Sequence, residues 1–214
     1  MMTIKKSSTR ITQIGQSQMR VEAELLDMMR RIQYSYHNAQ HVVEVHDCVL
    51  TLAKRENINL YNMELLAISA MGHDLGFAIR RENNESEGAR ITGEVMMRHG
   101  YSKSSVWMVG KLIINGTTMP QQPQTHMECI LADADLSNLG KTDFFEKNAA
   151  LMHELGVDNL YGWYEATMKL LNSHCYFTQS AQMLFEKQKA KNIVELKRRI
   201  EVLQDEEQKH LNTK

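Results

Sequence analysis

Proline is nearly absent from this chain: 214 residues carry two, Pro120 and Pro123. Strand-like alternation of Val, Ile and Thr is also scarce, so the hydrophobic period is helical almost throughout and a sheet-built fold is excluded. Cysteine is sparse. Cys48, Cys129 and Cys175 are widely spaced with no CxxC pair, which excludes a disulfide framework and a structural zinc knuckle and leaves reduced thiols packed in helices. Neither sign of charge dominates. With 25 basic and 26 acidic side chains the formal net charge is -1, without the basic field that a DNA or RNA backbone requires. No apolar run approaches the roughly 20 residues that span a bilayer. The opening segment, Met1 to Arg10, carries Lys5 and Lys6 but no apolar h-region. A soluble, cytoplasmic chain without a membrane partner is expected.

What is present is enough apolar material, 43% of 214 residues, to bury one sizeable core, and the whole chain, 1–214, reads as a single all-α domain. Helical periodicity predicts helices over Gln16–Tyr34, Ala39–Glu56, Tyr61–Asp74, Glu85–His99, Lys103–Asn115, Thr125–Leu139, Asp143–Leu155, Asn159–Ser173 and Thr178–Glu207. Gly100 and Gly156 read as stop signals, and Thr178-Gln179-Ser180 opens the last helix. Gly116 to Gln124, with both prolines, is a loop able to line a site. In the tail from Lys187 to Lys214, Ile193, Leu196, Ile200 and Leu203 fall on one helical face. That stripe fits a solvated helix docked by one side, with pairing to a second copy as a homodimer as the alternative.

The chemistry-bearing residues come in an ordered series: Tyr36-His37-Asn38, then His41, then His73-Asp74, then Ala134-Asp135-Leu136-Ser137-Asn138. Imidazole, imidazole, carboxylate and carboxylate are the ligand types of a catalytic divalent-metal site. On a helix, His37 and His41 share one face. His73 and Asp74 diverge by about 100° on a regular helix yet both reach a cation at its end. The run Leu65 to Met71 ahead of them is almost wholly apolar and reads as a buried helix. Burying an imidazole and a carboxylate at its end is costly unless a cation satisfies them. Asp133 and Asp135 both offer a carboxylate in Leu131-Ala132-Asp133-Ala134-Asp135. Glu85 can orient a water at the metal or favour its helix N-terminus by charge. Arg80, Arg81, Lys111 and Lys141 are solvated cations or, more sharply, clamps on a substrate phosphate.

The chain from Tyr36 to Phe145, about half its length, resembles the HD-domain metal-dependent phosphohydrolase superfamily. Gly72-His73-Asp74-Leu75-Gly76-Phe77 and the Thr-Met-Pro loop are similar to small bacterial HD-domain proteins. Tyr36-His37-Asn38-Ala39-Gln40-His41 and Ala134-Asp135-Leu136-Ser137-Asn138 look like segments of the cyclic-nucleotide phosphodiesterases. The resemblance implies an HD core over about 36–145, preceded by a helix over 16–34 and followed by additional helices over about 143–207. It implies His41, His73, Asp74 and Asp135 as metal ligands, with Asp74 bridging if two ions bind, and places His37 where a general acid stands. The Ala-Asp-Leu-Ser-Asn match selects Asp135 over Asp133, which becomes a carboxylate behind the site or facing solvent.

Two departures narrow this. Relatives carry a histidine where Asn84 stands, which points to one ion rather than two. The cyclic-nucleotide enzymes carry a histidine shortly after His-Asp, where this chain has Leu75-Gly76-Phe77-Ala78. The implied activity is hydrolysis of a small phosphate ester, a nucleotide phosphomonoester or phosphodiester, with His37, Asp74 and Glu85 in catalytic roles. The implied cofactor is one divalent ion from Mn, Fe, Co, Ni, Zn or Mg. Two alternatives are an HD-type di-iron oxygenase, for which His99 and His126 are spare imidazoles, and a nucleotide-binding regulator without turnover.

Overall fold

The structure, a computed structural model, describes the backbone of residues 2–212 and the side chains of 16–206, 208 and 209; Lys5, Lys6, Thr213 and Lys214 lie outside the described side chains. Every regular element among the described residues is helical, as the composition requires. In order they are α1 (Met2–Met29), α2 (Ala39–Arg55), α3 (Leu60–Gly72), a 3-10 helix (Leu75–Ala78), α4 (Asn84–Arg98), α5 (Lys103–Thr117) and α6 (His126–Asp135). A second 3-10 helix (Leu136–Gly140), α7 (Phe144–Glu154), α8 (Leu160–Ser173) and α9 (Gln179–Asn212) complete the chain. None of the described helices is long and apolar enough to cross a membrane.

The chain forms two compact units, Met1–Asp135 and Leu136–Lys214. The boundary falls ten residues before the core end implied by the resemblance, at the last residue of α6. In the first unit α3 is the hub, packed against α1, α2, α4, α5 and α6. Leu65, Leu66, Ala67, Ile68 and Ala70 have no exposed surface, as expected of a helix apolar on every side. Its polar residues are satisfied internally: the Ser69 hydroxyl donates to the Leu65 carbonyl at 2.8 Å, and Glu64 accepts from Tyr101. Polar caps start the helices. Asn38, Asn59 and Ser102 accept from backbone N–H groups in the first turns of α2, α3 and α5. Thr125 and Glu128 form a capping box that opens α6. The Thr125 Oγ1 accepts from the Glu128 N–H at 3.3 Å, while Glu128 accepts from the Thr125 N–H at 2.9 Å.

In the second unit Leu139, Phe144, Leu171 and Leu196 form the core, with Ile193 and Ile200 packed against it. Of the stripe that offered a homodimer seam, Leu196 is buried within its own unit and Ile193 and Ile200 are partly covered there. Asn192 anchors α9 by donating to the Leu139 and Lys141 carbonyls, both at 2.9 Å. Gly100 and Gly156 follow α4 and α7 in the left-handed region, at φ +84° and +63°, as C-terminal stops should.

His174, just after α8, is the pH-sensitive point of this unit. Both ring nitrogens are buried without a hydrogen-bond partner. Burial, with the Lys189 ammonium beside it, pushes the imidazole down to about 4. The unfolded chain, whose histidine keeps a pKa near 6.5, then binds the extra proton between about pH 6.5 and 4, so stability falls as pH drops through that window. With allowance for solvent around a half-buried ring, the contribution is on the order of 1 kcal/mol. Urea midpoints at pH 7 and pH 5 check this: the wild-type decline should be steeper than that of His174→Gln, and equal declines would refute it.

Candidate metal centre

Three elements of the first unit deliver the ordered series to one point. His41 lies in the first turn of α2, set by the Asn38 cap, whose Oδ1 accepts from the Gln40 and His41 N–H groups at 2.9 and 3.2 Å. His73 is the residue after α3, still helical at φ -60° and ψ -38°. At Asp74 the chain leaves the α-helix, at φ -94° and ψ 1°, and enters the 3-10 turn Leu75–Ala78. That break removes the 100° divergence of a regular helix and lets both side chains face the same point. Asp135 ends α6.

The four groups converge closely. The His41 Nε2 lies 3.4 Å from Asp74 Oδ2 and 3.4 Å from Asp135 Oδ1. The His73 Nε2 lies 3.3 and 3.4 Å from the same two oxygens. Ligand atoms of His41, His73 and Asp135 all fall within 4.8 Å of one another. Three of the four residues are buried and Asp135 is nearly so. The spacing is informative because a good charge-assisted N–H···O bond is shorter, about 2.7–2.9 Å. The His73 Nε2 and Asp74 Oδ2 accordingly lack any hydrogen-bond partner although both are buried. These atoms are drawn together without bonding to each other. Ligands about 2.1 Å from a shared ion and near the tetrahedral angle stand ~3.4 Å apart, so this donor set fits a divalent cation.

Electrostatics agree with a cation-shaped site. Burial alone would push the His73 imidazolium down, but the Asp74 and Asp135 carboxylates beside it push it up to about 9. Burial alone would raise Asp135, but the His41 and His73 imidazoles hold it well below the usual carboxylate range. An ion held between these groups would displace the proton that the carboxylates favour on His73. Behind the ligands, His73 Nδ1 lies 2.8 Å from the Ala70 carbonyl, which can only accept, so Nδ1 carries hydrogen and Nε2 is the coordinating atom.

Gln121 supports Asp135 in the same way. Its Nε2 donates to Asp135 Oδ2 and to the Ala132 carbonyl, each at 3.3 Å, leaving Oδ1 for the imidazoles. The sequence marks its loop as able to line a site but not this residue, since no motif distinguishes Gln121 from Gln122 and Gln124 around Pro123.

The other expected residues fall as follows. His37 is not on α2 but in the bend before its cap, so the shared helix face with His41 does not exist. It still stands near the cluster, its ring 6.0 Å from that of His41 and stacked on Phe77 at 4.1 Å. Asp133 is fully buried, which removes the solvent-facing reading, and it lies outside the triad. Glu85 sits half-buried in the first turn of α4, where a negative charge suits the helix dipole; the cap position is Asn83, which makes no side-chain cap bond. His99 pairs with Glu24 at 2.7 Å and His126 with Glu56 at 3.0 Å, so neither completes a second ion site. Arg80 pairs with Glu87 at 3.1 Å, Arg81 lies over the Tyr34 ring at 4.6 Å, and Lys111 lies over Trp107 at 5.3 Å.

No protein-family model matches the sequence, and no curated protein matches it. Among solved structures, Bacillus subtilis YpgQ, crystallised in complex with ADP, is similar with a TM-score of 0.65 and 12% identity, over 87% of this chain and 94% of that one. The likeness is one of fold. It places this chain with an all-helical architecture already seen experimentally.

Proposed function

We propose that this chain is a metal-dependent hydrolase of a small phosphate ester, with a nucleotide as its substrate, in the manner of the HD-domain phosphohydrolases it resembles. The observation that carries the proposal is the pair of buried, unbonded ligand atoms, His73 Nε2 and Asp74 Oδ2, converging with His41 and Asp135. The ADP bound by YpgQ supports the nucleotide class.

His41, His73, Asp74 and Asp135 would hold one divalent ion, and the pairing of His99 and His126 elsewhere favours one over two. When bound, such an ion supplies an acidified water and positive charge for phosphoryl oxygens. The chain's own residues do the rest. Ala70 and Gln121 fix the orientation of His73 and Asp135. Stacking on Phe77 holds the half-buried His37 ring beside the cluster, where it protonates the leaving oxygen of the ester.

The test loads the full chain with Mn, Fe, Co, Ni, Zn or Mg in turn, finds the nucleotides that raise its melting temperature, and assays those for phosphate or nucleoside release. Turnover of a stabilising nucleotide is expected. Stabilisation without release would identify a binding regulator instead, and neither effect with any combination would end the proposal. His37→Ala should keep its metal and lose about 100- to 10,000-fold in kcat, as loss of a proton donor does.

A further inference from the structure

We propose that the cavity between the end of α1 and the 3-10 turn after Asp74 receives the base of a nucleotide substrate. The cavity measures about 360 Å³, within the ~300–1,000 Å³ range of small-molecule sites. Its walls are apolar and aromatic, from Ile32, Tyr34, Leu75, Phe77 and Ile91, with Gln33 offering an amide for a hydrogen bond. α1 ends at Met29, short of the expected Tyr34, and residues 32–34, outside any helix, supply part of the wall.

Two residues of the cavity wall, Leu75 and Phe77, lie in the 3-10 turn that begins after Asp74. Leu75 follows Asp74 directly, and the Phe77 N–H donates to the Asp74 carbonyl at 3.0 Å, one 3-10 turn away. Phe77 stacks on His37, and Tyr34 meets Phe77 edge-on with ring centroids 5.9 Å apart. The Arg81 guanidinium lies above Tyr34. A series of π surfaces capped by a cation thus runs from the proposed proton donor into the cavity, which suits a flat aromatic group over an aliphatic one. It does not suit the phosphate, because the lining is mostly apolar and Arg31 is already paired with Asp27 at 2.9 Å. The phosphate belongs at the cluster and the base here.

This placement rests on the hydrolase reading for the phosphate, but base binding is measurable without it. Adenosine and cytidine, which carry no phosphate, are titrated into the full chain by ligand-observed NMR and calorimetry, alongside Met28→Trp, which fills the cavity from the half-buried α1 side. Tyr34→Ala is the second variant should the first lower the melting temperature. At least one nucleoside is expected to bind the wild type and to bind the variants roughly tenfold more weakly or worse. The KM for the matching nucleoside monophosphate should rise about tenfold. Failure of both nucleosides to bind, or equal binding by wild type and folded variants, overturns the cavity proposal. Absence of hydrolysis of every ester overturns the hydrolase reading alone.

Discussion

Asp74→Ala is expected to leave the chain folded, without bound divalent metal, and without phosphate-ester hydrolysis, a loss of roughly a thousandfold or more. Asp74 contributes the oxygen that lies 3.3–3.4 Å from both imidazoles and has no other partner. Removing it takes away a ligand and half of the negative charge facing His41 and His73. The fold should survive, because Asp74 holds no element in place with its side chain; it makes no side-chain cap bond to the turn it begins. Metal content after dialysis against a metal buffer, read by mass spectrometry together with phosphate release, measures both effects. Asp135→Ala should behave alike, while Asp133→Asn should keep its metal, since the carboxylates that face His41 and His73 at 3.3–3.4 Å are those of Asp74 and Asp135. An Asp74→Ala protein with full metal and full turnover would remove the hydrolase assignment.

Gly76→Ala should be the most destabilising single methyl in the first unit. A Cβ at residue 76 would stand 1.8 Å from the Asn84 carbonyl oxygen and 2.8 Å from its Cα, both backbone atoms that no side-chain rotation can move aside. The turn after Asp74 and the start of α4 touch there without a side chain between them, and forcing them apart costs about 3–5 kcal/mol. Since Leu75 and Phe77 flank the contact, the same shift would displace the turn that Asp74 begins and weaken metal binding. Gly100→Ala is the control: at φ +84° it strains the backbone but meets nothing within 4 Å, so about 1 kcal/mol is expected. Urea midpoints of the two variants compare the effects, and similar losses would show that the close approach at Gly76 is not rigid.

Much of this was readable before any coordinates. Helical class followed from scarce proline and from apolar period, and several boundaries followed from local chemistry. Asn38 caps α2 one residue before Ala39, where the helix was placed, and Gly100 and Gly156 lie just past the ends of α4 and α7. The Thr125-His126-Met127-Glu128 capping box carries a local Thr-x-x-Glu signature. Other features had no local signature. The four-residue spacing predicts one helical face for His37 and His41, yet Asn38 needs extended backbone at φ -138° to cap α2, and that puts His37 outside the helix. Its position beside the cluster comes instead from stacking on Phe77, a residue 40 positions later.

The sequence by itself determined the kinds of donor available, their order, and the helices that carry them, because ligand chemistry and helical period are properties of residues and near neighbours. Only the tertiary structure decided that the imidazoles of His41 and His73 meet the carboxylates of Asp74 and Asp135 at 3.3–3.4 Å, that Gln121 backs Asp135, and that Asp133 is buried. Those outcomes depend on how α2, α3 and α6 pack, and on a break from α to 3-10 geometry at Asp74. Packing between segments up to 94 residues apart leaves no trace in the local pattern of either one.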